Sequence, residues 1–395
     1  MAVDTVTLAS RVADHLLARN EVSRTFFPRE APRLAEVCRE MAERFLEGGR
    51  LLAFGRGPYA TDAQHVSVEF VHPVIVGKRA LPALDLSLAF PAWVRSVMRR
   101  EDMVMGFGPP EGDPEVEAFL AEAHIQGALT FALPGTVGNY AVSSPSEHPF
   151  IHQEMIEILY HTLWETVHVF FEHRELGHDV GEAGFLYPFL GQTKQDTSAL
   201  VEEVASSIVA KAQEDERLRE EVARESAAHI ADTALAIQER LEAGGKLILF
   251  GNGGSATDAN DLALDCVMPP EGYHALPAIS LSLEPANLSA IANDIGQEAI
   301  FLRQLIAHAR PEDVAVAIST SGGSTNIIAA LVEARKRGLL TVALLGYDGG
   351  EIVRRNLADF PLVVHCDYIP RIQEIHASIY HVLREMLEEI RYGRP

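Results

Sequence analysis

The 395-residue chain is predicted to fold as two tandem α/β domains, each a doubly wound parallel sheet with flanking helices, on three observations. Residues 48–63, GGRLLAFGRGPYATDA, align without a gap on residues 244–259, GGKLILFGNGGSATDA, and LPALDLSL at 81–88 aligns on LPAISLSL at 276–283. Gln153, Glu154 and His161 have counterparts at the same spacing in Gln373, Glu374 and His381. Such self-similarity marks repeated structural units, so the chain divides into copies of about 1–190 and 191–395. Within them, short apolar runs alternate with helical segments, the pattern of parallel strands covered on both faces.

In the second copy, residues 197–244 are charged and helix-rich, with Ile230, Ala234, Ile237 and Leu241 at helical spacing, so one face packs on a core. Leu247–Phe250 reads as a strand; Gly251-Asn252-Gly253-Gly254-Ser255 is a loop, and a helix follows. Further strands are expected at 276–281, 314–318, 341–345 and 361–364, with helices over Asn326–Arg337 and Ile372–Ile390. The first copy keeps this plan with shorter connections: 14 residues separate Ser87 from Asp102, against 30 between Ser282 and Asp313. Its helix from Gln153 to Phe171 carries Ile156, Leu159, Leu163, Trp164, Val167 and Phe170 at helical spacing, the mark of a core or dimer seam.

Composition excludes several classes. A chain 47% hydrophobic and 23% charged, with mean hydropathy +0.05, is globular. No apolar run is long enough to span a bilayer, and the start, MAVDTVTLASRVADHLLARN, lacks the basic then apolar order of a secretory leader. A cytoplasmic location without a membrane partner is expected. A net charge of −23 repels the nucleic-acid backbone, so no nucleic-acid partner is expected either. The three cysteines, Cys38, Cys266 and Cys366, encode no disulfide framework and read as buried thiols.

An acidic protein can still hold a phosphate with local donors. Gly251–Ser255 and Ser319-Thr320-Ser321-Gly322-Gly323-Ser324 each follow a predicted strand and open a helix, where unpaired N–H groups and the dipole favour an anion. Either loop alone would read as an ordinary cap. Two at the carboxyl ends of strands in one sheet, the usual ligand position of open α/β folds, point to phosphate.

GNGGSATDA, AIANDIGQ at 290–297, AISTSGGSTN at 317–326 and RIQEIHASIYHVL at 371–383 resemble the sugar isomerase (SIS) fold and, within it, the bacterial sedoheptulose-7-phosphate or phosphoheptose isomerases. The resemblance implies tandem SIS-type, Rossmann-like domains. It also implies aldose–ketose isomerisation through an enediol, run by a glutamate and a histidine near zinc, at a site between domains or subunits. Position by position, Asn252, Gly253, Gly254, Ser255, Ser319, Thr320, Ser321 and Ser324 would hold the phosphate and Asp294 the sugar hydroxyls. His381 falls on the catalytic histidine and Gln373 on a metal-site glutamine. The family's catalytic glutamate and metal histidine are replaced by Asp265 and Asp261, and an aspartate before Arg371 by Pro370. An acid one methylene shorter matters, since misplacement by about 1 Å costs on the order of a hundredfold in rate. With His381 and Gln373, the aspartates form a possible second metal site, suited to a harder cation than zinc or to none.

The first copy has the complementary pattern. His65, Glu69, Gln153 and His161 fall on all four metal and acid/base positions, while Gly55-Arg56-Gly57-Pro58-Tyr59 and Gly106-Phe107-Gly108-Pro109-Pro110 replace the phosphate loops. Arg56 is the one residue there that offers partial compensation. His65 and Glu69, at i and i+4, share a helix face, as metal ligands or an acid/base pair require. Gln153 and His161 stand about 12 Å apart along a helix, which predicts a pocket assembled from more than one copy.

The expected agents are therefore Glu69 or Asp265 for the carbon-bound proton and His161 or His381 for the proton on oxygen, with a divalent metal and no nucleotide cofactor. A homodimer would make a pseudo-tetramer of SIS domains. None of the five lysines lies in these motifs, which disfavours imine chemistry. The alternative is a non-catalytic sugar-phosphate sensor. His148, His152, His168, His173, His178 and His376 are expected at the surface or capping helices.

Overall fold

A computed structural model describes residues 5–74, 78–175 and 197–393. The chain forms two compact units, residues 20–214 and residues 1–19 with 215–395. The sequence boundary at 190/191 lies outside the described residues, and residues 5–19 group with the second unit.

The first unit runs through the body of α1 (Thr5–Leu46), β1 (Leu51–Phe54), α2 (Ala60–Val71), β2 (Ala83–Asp85), α3 (Ala92–Val97), β3 (Met103–Phe107), α4 (Pro114–Ile125), β4 (Leu129–Leu133), β5 (Tyr140–Ala141) and α5 (Pro149–Glu175). It takes in the start of α6 (Thr197–Glu225), whose end belongs to the second unit. There follow α7 (Ala227–Glu242), β6 (Leu247–Gly251), α8 (Gly254–Val267), β7 (Ala278–Ser280), α9 (Pro285–Asp294), α10 (Ile300–His308), β8 (Val314–Ser319), α11 (Thr325–Lys336), β9 (Leu340–Gly346), α12 (Gly350–Arg354), β10 (Phe360–Val364) and α13 (Ile369–Tyr392).

Both sheets are parallel and share one order, β2-β1-β3-β4-β5 and β7-β6-β8-β9-β10. Each was predicted as a doubly wound α/β sheet. The alternation along β6 shows why the strands are apolar throughout: Leu247 and Leu249 enter one core cluster, Ile248 and Phe250 the other. The first of these clusters holds Ile230, Ala234, Ile237 and Leu241 of α7, and burying one such isoleucine contributes about 1.5–3 kcal/mol. The residues missing between Ser87 and Asp102 correspond to helices: the first sheet has six-residue α3 where the second has α9 and α10. Phe90 stacks on Phe54, centroids 4.3 Å apart, in the place where Phe301 of α10 meets Phe250.

The apolar positions expected on α5 are buried, and so are its polar ones, among them Gln153, Glu154, Glu157 and His161. α13 is buried from Pro370 to Glu389. Three of the histidines expected mostly at the surface or capping helices are instead buried. The His152 Nε2 lies 3.1 Å from the carbonyl of Gly108, and burial lowers the ring's pKa to about 4. His168 lies between the carbonyls of Trp164 and Arg79, and burial likewise pushes His376 down to about 4. His148 is half-buried; His173 and His178 fall outside the described side chains. Cys38 and Cys266 are buried free thiols, as expected, and Cys366 is half-buried. Among the described residues no helix is long and apolar enough to cross a membrane.

In the second unit the start of α1 is tied to α13 by charge. Arg19, fully buried, pairs with Glu385 at 2.9 Å, and His15 faces Glu385 at 2.9 Å and Glu389 at 3.1 Å. Burial alone would lower the His15 pKa, but hydrogen bonds to the two glutamates outweigh it and raise the ring to about 9. A folded-state pKa above the unfolded value near 6.5 contributes stability that is full below that pH and lost as pH rises through about 9. Wild type should thus lose its stability advantage over His15→Gln between about pH 6.5 and 9, as read from urea midpoints; a pH-independent difference would remove the ion pairs from this account.

Candidate functional site

In each sheet the chain passes from the first strand to a neighbour on one side and then to the first strand's other side, so the order reverses between β1 and β3 and between β6 and β8. A crevice opens at the carboxyl ends of strands where this happens. In the second unit the flanking loops are Gly251–Ser255 and Ser319–Ser324. Gly253 has φ +57°, which a side chain rarely adopts. The Gly251 N–H donates to Ser282 Oγ at 3.2 Å, the Gly322 N–H to Ser319 Oγ at 3.2 Å and the Gly323 N–H to Ser321 Oγ at 3.3 Å. A third loop presses from behind: Gly346 N–H donates to Thr320 O at 2.8 Å, and a Cβ on Gly322 would strike the Gly349 carbonyl.

Helix α8 begins at Gly254 and α11 at Thr325, and neither Gly253 nor Ser324 makes a side-chain capping bond. First-turn N–H groups and the dipole are thus free of a capping carboxylate beside buried Ser255 and Ser319 and exposed Ser321. The predicted cradle residues come together, except that Asp294 stands at the exposed end of α9, accepting from Asn293 at 2.8 Å.

The first unit keeps the turn and closes the anion site. Gly57 has φ +59°, and the Gly55 N–H donates to Ser87 Oγ at 3.1 Å, as in the second unit. At α4, however, the Asp113 carboxylate accepts from the N–H groups of Glu115 and Val116 at 2.9 and 3.1 Å. The chain's own anion sits where a ligand's would. Arg56 does not compensate, because its guanidinium pairs with Asp113 at 3.1 Å and Glu115 at 3.0 Å. The adjoining cavity, about 340 Å³, carries Glu111, Asp113 and Glu117 in a lining otherwise of proline, glycine, serine and threonine.

The second cluster in each unit lies between the helix after the glycine loop and the last long helix. On α2 and α5, His65, Glu69 and His161 are buried and offer ligand atoms within 4.8 Å of one another. The Nε2 atoms of His65 and His161 are 3.3 Å apart, and His65 Nε2 lies 3.8 Å from Glu69 Oε1. On α8 and α13 the same places hold Asp261, Asp265 and His381, with His381 Nε2 3.1 Å from Asp265 and 3.5 Å from Asp261. Tyr380 donates to Asp261 at 2.8 Å. Burial, and then the charge of Asp261, raise the Asp265 carboxyl to about 6 against the hydrogen bond from His381. Gln153 and Gln373 are buried about 12 Å earlier along their helices.

Reach is limited within the second unit. Ser255 and Asp265 are about 15 Å apart along α8, whereas phosphorus to C2 of an extended heptose phosphate is about 8 Å at ~1.2 Å per bond. One copy's cradle and its own Asp265 are too far apart for one such sugar.

Comparison with known proteins identifies the family. Residues 212–346 match the family model of the SIS domain. The phosphoheptose isomerase of Geotalea daltonii is 41% identical over 198 residues, 98% of that protein and 49% of this chain. The chain belongs to the SIS family. The phosphoheptose isomerase of Chlorobaculum parvum is 46% identical over 178 residues, 84% of its length and 44% of this chain. A solved SIS-fold structure, a putative tagatose-6-phosphate ketose/aldose isomerase from Clostridium novyi, covers 97% of this chain and 91% of its own at TM-score 0.56 and 10% identity, a likeness of fold alone.

Sequence reasoning missed three residues that shape these clusters: Asp113 in the first unit, and Tyr380 and Asn326 in the second. Asp-Pro ahead of a helical pattern is an N-cap signal that could have found Asp113. Asp113→Ala should lower stability by about 1 kcal/mol through loss of the α4 cap, measured by chemical denaturation; an unchanged midpoint would mean that the carboxylate does not close the helix.

Proposed function

We propose that this chain is a sugar-phosphate aldose–ketose isomerase acting on sedoheptulose 7-phosphate through an enediol. The observation that carries the reading is the paired inventory: a lysine-free anion cradle on the second sheet and an intact His65–Glu69–His161 set on the first. The Glu69 carboxylate, buried on α2, would take the proton between the first two carbons, and His161 would pass the proton on oxygen. Asp265 and His381 are the corresponding pair of the second copy. The reach argument supports a site completed by more than one copy, in a homodimer that makes a pseudo-tetramer of SIS domains.

Zinc fits the first-copy donor set. Two ligands of a tetrahedral zinc, each at about 2.0–2.1 Å, lie about 3.3 Å apart, the separation of the two imidazole nitrogens. His65, Glu69 and His161 would hold it, with Gln153 on the family's metal position, and it would polarise the substrate carbonyl. In the second copy, Asp261, Asp265 and His381 make an oxygen-rich set suited to a harder cation.

A second reading, a sugar-phosphate sensor without turnover, is favoured by the aspartates at 261 and 265 and by Pro370. Deuterium incorporation from D2O at C1 of sedoheptulose 7-phosphate, or at C2 of the aldose formed from it, separates the two. Incorporation is expected, falling about a hundredfold or more in Glu69→Gln; binding without any exchange would leave the sensor. Elemental analysis should find zinc in the purified protein and none in a folded His65→Ala, His161→Ala double variant. Protein that stays metal-free after zinc supplementation would dispose of the metal.

A further inference from the structure

The two anion-binding loops come from different strands, and one side-chain pair links them. Asn326, the second residue after the Ser324 N-cap of α11, is buried. Its amide nitrogen donates to Asn252 Oδ1 at 2.8 Å, and its Oδ1 accepts from the Asn252 amide at 3.0 Å and from the Ile327 N–H at 2.9 Å. Asn252 lies in the glycine loop and is exposed. A reciprocal amide pair satisfies donor and acceptor on both sides, so it holds only when the loops stand at one separation. That separation sets whether the first-turn amides of α8 and α11 converge on a single tetrahedral anion.

The first copy shows that the link is a feature of the design. Position 56 corresponds to 252 in the gapless repeat, and Glu115, like Asn326, stands two residues after its helix N-cap. Arg56 and Glu115 are joined at 3.0 Å. The link persists as an ion pair where Asp113 has taken the helix donors. In the second copy an ion pair would bring a carboxylate beside the bound phosphate, whereas two neutral amides brace the loops without adding charge.

We propose that Asn326 is a positioning residue of the phosphate site, which through its reciprocal amide pair with Asn252 fixes the spacing of the two anion-binding loops. The inference rests on the reading of those loops as the phosphate cradle.

Calorimetric titration of the full chain with inorganic phosphate tests both, using Asn252→Ala, Asn326→Ala, the double variant and Ser321→Ala. Asn326→Ala should weaken phosphate about tenfold or more, while in the Asn252→Ala background it should add less than about twofold, because the strut is already broken. Asn326→Ser, whose hydroxyl can still accept from the Ile327 N–H but is too short for Asn252, should lose the same affinity with wild-type thermal stability. It also serves if the alanine variant does not fold. Wild type that binds phosphate, with Asn326→Ser unchanged or with the Asn252 and Asn326 effects multiplying independently, would overturn the strut and leave the cradle. Wild type that takes no phosphate, or that binds it undiminished in Ser321→Ala, would overturn the cradle and the strut with it.

Discussion

What becomes of the amides in the first turn of a helix after a strand distinguishes the two halves of this protein. A chain with 56 acidic and 33 basic residues cannot recruit an anion by overall charge, so local N–H groups and hydroxyls must do so. At α11 the N-cap is Ser324, whose side chain makes no capping bond, and the Ile327 N–H goes to the neutral amide of Asn326 rather than to a carboxylate. At α4 the N-cap is Asp113, whose carboxylate already receives two of those N–H groups and is held in turn by Arg56. The backbone turns at Gly57 and Gly253 are nearly the same, and the difference lies in which anion the helix end receives.

The buried histidine and carboxylate clusters show the opposite asymmetry on an equally shared scaffold. Both lie between the helix that leaves the glycine loop and the buried last helix, and both keep Tyr and His side by side, at Tyr160-His161 and Tyr380-His381. His65 and Glu69 have become Asp261 and Asp265 in the second copy, which trades a nitrogen ligand for oxygen and shortens the acid. Burial, and then the nearby charge of Asp261, raise the proton affinity of Asp265. The polar faces of α5 and α13 are kept inside the protein at a desolvation cost, offset by pairs such as Arg371 with Asp215 at 2.8 Å.

The parts of this architecture carried by local order were legible in the sequence. Strand, glycine loop and helix read directly from LILFGNGGSATDA, and the gap after Ser87 located missing structure that proves to be the counterparts of α9 and α10. Contacts between distant positions were not legible. Arg56 meets Asp113 across 57 residues and Asn252 meets Asn326 across 74, and neither distance leaves a periodic trace. His152, His168 and His376 were read as surface residues because a lone histidine has no spacing to place it; each is accommodated inside as a neutral ring or beside backbone carbonyls. The attachment of residues 5–19 to the second unit is of the same kind.

That attachment has a bearing on how the molecule is made. Leu8, Val12 and Leu16 belong to a core cluster otherwise composed of residues from 218 onward, and His15 and Arg19 reach Glu385 and Glu389 near the far terminus. During vectorial synthesis at about 5–20 residues per second, the leading helix emerges on the order of 20 to 70 seconds before its partners leave the ribosome. For that interval its apolar stripe is an orphan, so the nascent chain offers chaperones a handle that the finished protein no longer displays.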